Sequence, residues 1–190
     1  GLKVDVIDHR GEMLVPRVRI DTPYPFTPGV LIDSVADMVR DLPGFDRISL
    51  GFPGFVRDGK VLTAPEFGTE KWAGFALSEA LTERFGKPAR ILNDAEVQGY
   101  GAISGHGLEL VLTLGTGAGT ALYRDGELMP HLELAHHVIR KDKTYNEYVG
   151  DHVLKKIGRK RWSKHVLKTI QVLYDLLRYD TLYLGRGNAG

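Results

Sequence analysis

The segment Leu112-Thr113-Leu114-Gly115-Thr116-Gly117-Ala118-Gly119-Thr120 reads as a strand, a glycine turn and a second strand. Such a turn presents successive backbone N–H groups and a threonine hydroxyl, which suit phosphate oxygens. No Lys-Ser/Thr pair follows, so it is not a P-loop, and it runs into a strand-like Thr120-Ala121-Leu122-Tyr123, unlike the dinucleotide fingerprint. A tight hairpin with glycine supplying positive φ would use the same residues. In Leu92-Asn93-Asp94-Ala95 a strand meets a helix. A carboxylate there can take a proton from a hydroxyl that the neighbouring amide holds in line, and an ordinary helix N-cap uses the same residue types. Glu133 and His136 stand three apart in Leu132-Glu133-Leu134-Ala135-His136-His137. On a helix or turn they can face the same way and bind sugar hydroxyls or one metal ion, or simply make a polar surface turn. Metal is the weaker idea, because no second matching pair or cysteine set accompanies them. Finally, Lys155, Lys156, Arg159, Lys160, Arg161, Lys164 and Lys168 follow one another with no acidic residue between Asp151 and Asp175. They form either a solvated helix face or a track for a polyanion.

The elements that must position these residues alternate in type. Residues 2–9 and 13–20 are β-rich around a hairpin signal at Arg10-Gly11-Glu12. Val30, Leu31, Val35, Met38 and Val39 recur at helical spacing, and Pro43-Gly44 ends that helix. Ile48–Phe52 reads as a short buried strand. A helix over 73–85 stops at Gly86-Lys87-Pro88, a strand follows at 90–92, and a helix runs from Asp94 to about Ser104. Leu108–Leu114 is a near-continuous apolar strand, and Asp125-Gly126 marks a second hairpin turn. From Tyr145 the chain reads as helical, with a break at Gly158, up to a strand at Thr181. The order is α/β, with a division expected near Gly105-His106-Gly107, giving lobes 1–106 and 107–190.

Composition narrows the function classes. The chain of 190 residues is 43% hydrophobic, enough for a real core in one domain or two small lobes. A formal net charge of +1 gives no whole-chain pull toward nucleic acid or membrane. The absence of cysteine excludes disulfides, thiol catalysis and cysteine zinc sites. No apolar run is long enough to span a bilayer and no signal-peptide pattern opens the chain, so a cytoplasmic setting is the default expectation. Both ends fall within strand-like segments, without a cap or polar tail, and the expectation is that pieces lie beyond them.

Taken in order, Gly51-Phe52-Pro53-Gly54, Thr63-Ala64-Pro65, Asn93-Asp94-Ala95, Leu114-Gly115-Thr116-Gly117, Glu133-Leu134-Ala135-His136 and Leu184-Gly185-Arg186-Gly187-Asn188 resemble the landmarks of the ROK family of sugar kinases. The look is closest to its polyphosphate-using branch, which is similar in lacking the cysteine-rich zinc motif. The resemblance implies an actin-like ATPase (ribonuclease H-like) fold, two lobes with a central cleft. It makes Asp94 the base, and gives Asn93, Glu133 and His136 the sugar hydroxyls. Glu147 aligns loosely with a further sugar-binding Glu, and Glu66 stands beside the sugar where the family often has Asn. Gly115, Thr116 and Gly117 would cradle donor phosphates, and Gly185 and Gly187 would line the nucleotide. Arg186 stands where a third glycine is usual, and Ala135 where glycine often precedes the His. The implied reaction passes a phosphoryl group from ATP or polyphosphate to a hexose, glucose giving glucose 6-phosphate. It needs Mg²⁺ and no structural zinc. The acid that positions Mg²⁺ belongs to a phosphate loop preceding Gly1. The expected partner is a small sugar, with no nucleic acid or membrane, in a homodimer. The alternative is a catalytically silent sugar-binding regulator of the same fold, and Glu66 and Arg186 are the residues that keep it open.

Overall fold

A computed structural model describes residues 1–186. The chain forms two compact units, Gly1–Asp94 and Ala95–Gly190. The division falls earlier in the chain than the glycine-rich stretch at 105–107 suggested. The helix Asp94–Tyr100 explains why: past Asp94, its residues serve the second unit. The Tyr123 hydroxyl donates to the Glu96 carbonyl, and Tyr100 packs edge-on against Tyr123 at 5.0 Å. Gly99 is required there, since a Cβ would collide with the Tyr123 ring.

In the first unit β1 (Leu2–Val4) pairs antiparallel with β2 (Val18–Ile20), and the long hairpin is bridged once more at Ile7–Met13. Helix α1 (Pro28–Val39) begins at Thr27, whose hydroxyl accepts from the Val30 N–H. β3 (Ile48–Phe52) leads through β4 (Val56–Arg57) and β5 (Lys60–Val61) to α2 (Thr69–Trp72) and α3 (Leu77–Phe85). Where the sequence suggested one helix over 73–85, the chain turns at Gly74 (φ 81°) between two helices. Phe75 and Gly74 are tied back to Val61, which leaves no room for a continuous helix. The C-terminal stop is as expected: Gly86 is left-handed at φ 63°. β6 (Ala89–Asn93) then pairs parallel with β3, from Ile48–Ala89 to Phe52–Asn93. The core gathers Phe26, Leu31, Phe52, Leu77, Leu81 and Ile91 around Trp72, which is fully buried and donates its indole N–H to the Phe26 carbonyl at 3.1 Å.

The second unit takes in α4 (Asp94–Tyr100), which ends four residues short of Ser104, and β7 (Leu108–Leu114). β7 is apolar almost throughout because both of its faces are buried, Leu110, Leu112 and Leu114 in one cluster and Val111 in another. β8 (Ala118–Arg124) pairs with it antiparallel, and β9 (Glu127–Leu128) follows through the Asp125-Gly126 turn. β10 (Val138–Arg140) and β11 (Lys143–Thr144) form a small hairpin. Helices α5 (Tyr145–Val149), α6 (Asp151–Ile157) and α7 (Arg159–Leu177) follow, and β12 (Thr181–Arg186) returns to pair parallel with β7. The sheet order is thus β12-β7-β8-β9. Gly158, at φ 78°, separates α6 from α7. Lys155 and Lys156 therefore sit on a different helix from Arg159, Lys160, Arg161, Lys164 and Lys168.

Glu109 on β7 is fully buried, yet its carboxylate is charged. Burial opposes the charge, but donors surround it. The N–H groups of Ser104, Gly105 and His106 lie at 2.8, 2.9 and 3.2 Å, the Ser104 hydroxyl at 2.9 Å and the Tyr183 hydroxyl at 2.8 Å. They hold the carboxyl down at about 2. This one side chain ties the α4–β7 connection to β12. Its contribution to stability is complete above the ordinary carboxylate range and is lost only as pH falls through about 2. Glu109→Gln should lower the urea midpoint at pH 7 far more than Glu70→Gln at the exposed α2. Equal midpoints for the two variants would mean that the buried carboxylate does not fasten the loop.

Candidate functional site

Each unit holds candidate residues of its own. In the first, β3 and β6 end together, and the register closes on Phe52–Asn93. Loops beyond the C-terminal ends of parallel strands are where α/β sheets gather ligand-handling groups. Asn93 donates its side-chain N–H to the Gly54 carbonyl at 3.0 Å. Gly54 can lie against the Thr63 carbonyl only because it has no Cβ. The Thr63 hydroxyl accepts from the Phe55 N–H at 3.1 Å. Gly51–Gly54, Thr63–Pro65 and Asn93 are therefore one local structure. Asp94, the next residue, is the exposed first residue of α4. Glu66 sits on the exposed turn just after Pro65.

In the second unit the phosphate-type turn Gly115-Thr116-Gly117 joins β7 to β8. Gly115 donates its N–H to the Gly117 carbonyl at 2.9 Å and accepts from the Asp151 N–H at 2.9 Å. Ala118 donates its N–H to Asn146 Oδ1 at 2.8 Å. A Cβ on Gly117 would collide with that same Asn146 side chain. The turn is thus locked from behind by α5 and α6. The N–H groups of Thr116 and Gly117 and the Thr116 hydroxyl have no hydrogen-bond partner among the described residues. Gly185, on β12, lies opposite Thr113 in the parallel register, beside the base of the turn. Gly187 lies outside the described residues.

Glu133 and His136 lie on an extended segment and turn, not a helix. Thr120 fastens the segment by donating its hydroxyl to the Leu132 carbonyl at 2.9 Å, and the Asn146 N–H donates to the Ala135 carbonyl at 3.0 Å. The residues behind Glu133 escaped the sequence reading. His131 is almost buried, with Nδ1 2.8 Å from Glu96 Oε1 and Nε2 3.4 Å from Glu133 Oε2. Burial opposes a charged ring, but the bonds to Glu133 and Glu96 outweigh it and push the imidazole up to about 9. The same contact with His131 holds the Glu133 carboxyl below its usual range. A clue was present in the sequence: His131 and Glu133 are two apart on an extended segment, hence on one side of it.

Glu147, the loosely aligned sugar ligand, has another occupation. It accepts from the Thr144 N–H at 2.9 Å while the Thr144 hydroxyl accepts from the Glu147 N–H at 3.2 Å, a capping box that starts α5. Among the described residues no group of three or more His, Asp or Glu side chains is placed to hold a metal ion. Nor is any helix among the described residues long and apolar enough to cross a membrane.

Two outcomes test this geometry. Asn146→Ala strands the buried Ala118 N–H and should cost about 1–3 kcal/mol of stability. Asn146→Asp keeps the acceptor, so it should lose less in the same denaturant titration. The charged His131 ring stabilises the fold fully below the ordinary histidine value of about 6.5. That contribution disappears as pH rises through about 9. Melting temperature should therefore fall across pH 7 to 9.5, and His131→Gln should flatten the fall. An identical slope in the variant would show that the ring is neutral.

Comparison with known proteins identifies the family. The chain is 28% identical over 197 residues to the polyphosphate glucokinase of Mycobacterium tuberculosis (strain ATCC 25618 / H37Rv), covering 98% of this chain and 74% of that protein. Its structure is similar to the inorganic polyphosphate/ATP-glucomannokinase from Arthrobacter sp. strain KM, with a TM-score of 0.80 and 27% identity, over 97% of this chain and 79% of that one. A ROK family glucokinase from Streptomyces griseus, solved with glucose and AMPPNP, shares the fold at a TM-score of 0.73 and 19% identity, over 96% of this chain and 78% of that one. The family model described as the ROK family matches residues 2–133, more than half of the sequence. The chain belongs to the ROK family.

Proposed function

We propose that this chain is the sugar- and phosphate-handling part of a hexose kinase that uses ATP or polyphosphate, with glucose as the acceptor and glucose 6-phosphate as the product. The observation that carries the reading is the locked turn: Thr116 and Gly117 keep two N–H groups and a hydroxyl unspent on a backbone that cannot relax to satisfy them. Names of similar proteins support the donor and the sugar. Polyphosphate glucokinase and polyphosphate/ATP-glucomannokinase are both among them. The actin-like fold with a central cleft, the homodimer and the cytoplasmic setting belong to the same reading.

In this mechanism Asn93, Glu133 and His136 hold sugar hydroxyls. Asp94 accepts the proton as the sugar oxygen attacks the terminal phosphorus, and the bond from that phosphorus to its bridging oxygen breaks. The leaving phosphate chain stays on the N–H groups of Thr116 and Gly117, with Gly185 beside it. His131, backed by Glu96, keeps Glu133 ionised so that it can accept from a hydroxyl. Phosphoryl transfer asks mainly for positioning and charge stabilisation, which these groups supply. The donor set of the turn fits a phosphate chain, and Mg²⁺ would ride on that chain's oxygens and on water, supplying charge neutralisation.

The test is glucose phosphorylation by the purified protein with ATP and with polyphosphate. Asp94→Asn should leave glucose binding nearly intact and slow turnover by about 10²–10⁴-fold, the range for losing a general base. A variant as fast as the parent would remove Asp94 from the mechanism. Glucose binding without transfer from either donor, in the parent itself, would favour the regulator.

A further inference from the structure

The β10–β11 hairpin and α7 enclose a shallow pocket lined by Arg140, Lys141, Lys143, Tyr148 and His165. Three of these five residues are cations. Arg140 and Lys143 are direct cross-strand partners, an arrangement of like charges that destabilises a hairpin unless something neutralises it. Lys141, at φ 48°, and Asp142, at φ 59°, make the turn, so Lys141 stands at the hairpin tip. None of the three cations forms an ion pair among the described residues. Two acids lie nearby, Asp142 within the turn and Glu147, whose carboxylate feels the charge of Lys143 while it accepts from Thr144, so three cations stand against two acids and the hairpin keeps a positive excess. The back of the pocket is rigid: the Tyr148 and His165 rings stack at 4.1 Å and 4°, and His165 Nδ1 lies 2.9 Å from the Tyr148 carbonyl. With Nδ1 donating there, Nε2 can donate to a phosphate oxygen only when the ring carries a second proton, so the three cations, not His165, supply the main attraction. The Tyr148 hydroxyl has no partner among the described residues and forms the solvent-reaching end of a residue that is only 7% exposed. Arg161 and Lys168, at i−4 and i+3 from His165, extend the positive surface along the same face of α7.

We infer that this pocket anchors the phosphate chain of inorganic polyphosphate at a second point, beyond the Thr116-Gly117 turn. The inference rests on the proposed kinase reading for its ligand and on the hairpin geometry for its location. Asn146 and Tyr148 are two residues apart on α5, so they point to opposite sides of that helix. One side closes the phosphate turn and the other lines the pocket. A long chain can reach round α5 to both, whereas a donor held at the turn by a triphosphate cannot. A nucleic acid fits less well, because the Tyr148 ring is already stacked on His165 and offers no open face to a base.

The experiment compares the parent with the Arg140→Gln, Lys141→Gln, Lys143→Gln triple variant. It measures binding of long-chain polyphosphate, tripolyphosphate and a single-stranded oligonucleotide at one moderate salt concentration, together with glucose phosphorylation from ATP. The variant should bind long-chain polyphosphate about tenfold or more weakly, the equivalent of one charge-assisted contact or more. Its Michaelis constant for ATP should change less than about twofold, and its melting temperature should hold or rise as the cross-strand repulsion goes. Unchanged polyphosphate affinity in the folded variant overturns the inference. So does an equal loss for the oligonucleotide, which would make the hairpin a general polyanion or nucleic-acid surface. If the triple variant fails to fold, Lys143→Gln alone should still show a measurable part of the loss, and no loss there counts against the pocket. A parent that binds polyphosphate through these residues but phosphorylates no sugar would sink the kinase reading and leave the pocket standing.

Discussion

Asn146 spends three of its groups on three different segments. Its N–H holds the Ala135 carbonyl in the Glu133–His136 segment, its Oδ1 holds the Ala118 N–H at the end of the phosphate turn, and its carbonyl accepts from Gly150 where α5 gives way to α6. The two chemically important segments of the second unit are thus registered against one short helix instead of against each other. Such a helix would be marginal alone. It is fixed here by its capping box at Thr144 and Glu147, and by Trp162, whose indole N–H donates to the Val149 carbonyl at 2.8 Å from α7. An error in the placement of α5 would therefore displace the turn and the Glu133 segment together.

Buried charge supplies the remaining precision. A lone ionised group in a core costs heavily, so each one must be surrounded by partners. Glu109 is surrounded by donors from a loop, and that loop connects α4 to the central strand. Glu96 and Glu133 flank His131, so a residue on α4 and a residue on the segment after β9 share one cation. These networks specify geometry more than they add stability. Each is satisfied in one arrangement of its segments, and a half-formed version leaves a charge without partners.

The order and type of elements was legible because periodicity and glycine placement are local signals. Gly86, Gly158 and the Asp125-Gly126 turn all stand where the sequence put them. So do the apolar β7 and the glycine turn after it. The helix over 73–85 was misread because its first part is diverted by hydrogen bonds to Val61, a tertiary contact that leaves no trace in local spacing. The boundary between the units was misplaced for a similar reason, since the allegiance of α4 is decided by Tyr123 and His131, far along the chain. Of the six ordered landmarks, three meet in the first unit around Asn93 and two meet around Asn146. Gly185 joins those two through the β12 register. Asn146 and Glu96 were invisible as functional positions because their importance lies in what they hold, and His131 left only the clue of its spacing from Glu133. Glu147 has a role that alignment did not show, since the carboxylate offered to a sugar also caps its own helix through one oxygen.

The parallel pairing of β12 with β7 has a kinetic side. β7, β8 and β9 are joined by tight turns, so this antiparallel meander can zip up from local contacts as soon as it exists. β12 cannot join it early, because Leu108 and its partner Asp180 are 72 residues apart and three helices lie between them. The closing of so long a loop precedes any reward from its contacts, and this makes such a step slow. Until it happens, β7 shows an open edge of apolar residues, and Glu109 lacks the Tyr183 hydroxyl. An unpaired edge of this kind is a template for the wrong partner. The most aggregation-prone moment in the life of this chain should therefore be the interval after the meander forms and before its last strand arrives. Conditions that shorten that interval, such as lower temperature during synthesis or a chaperone that shields strand edges, should govern soluble yield more than the stability of the finished fold does.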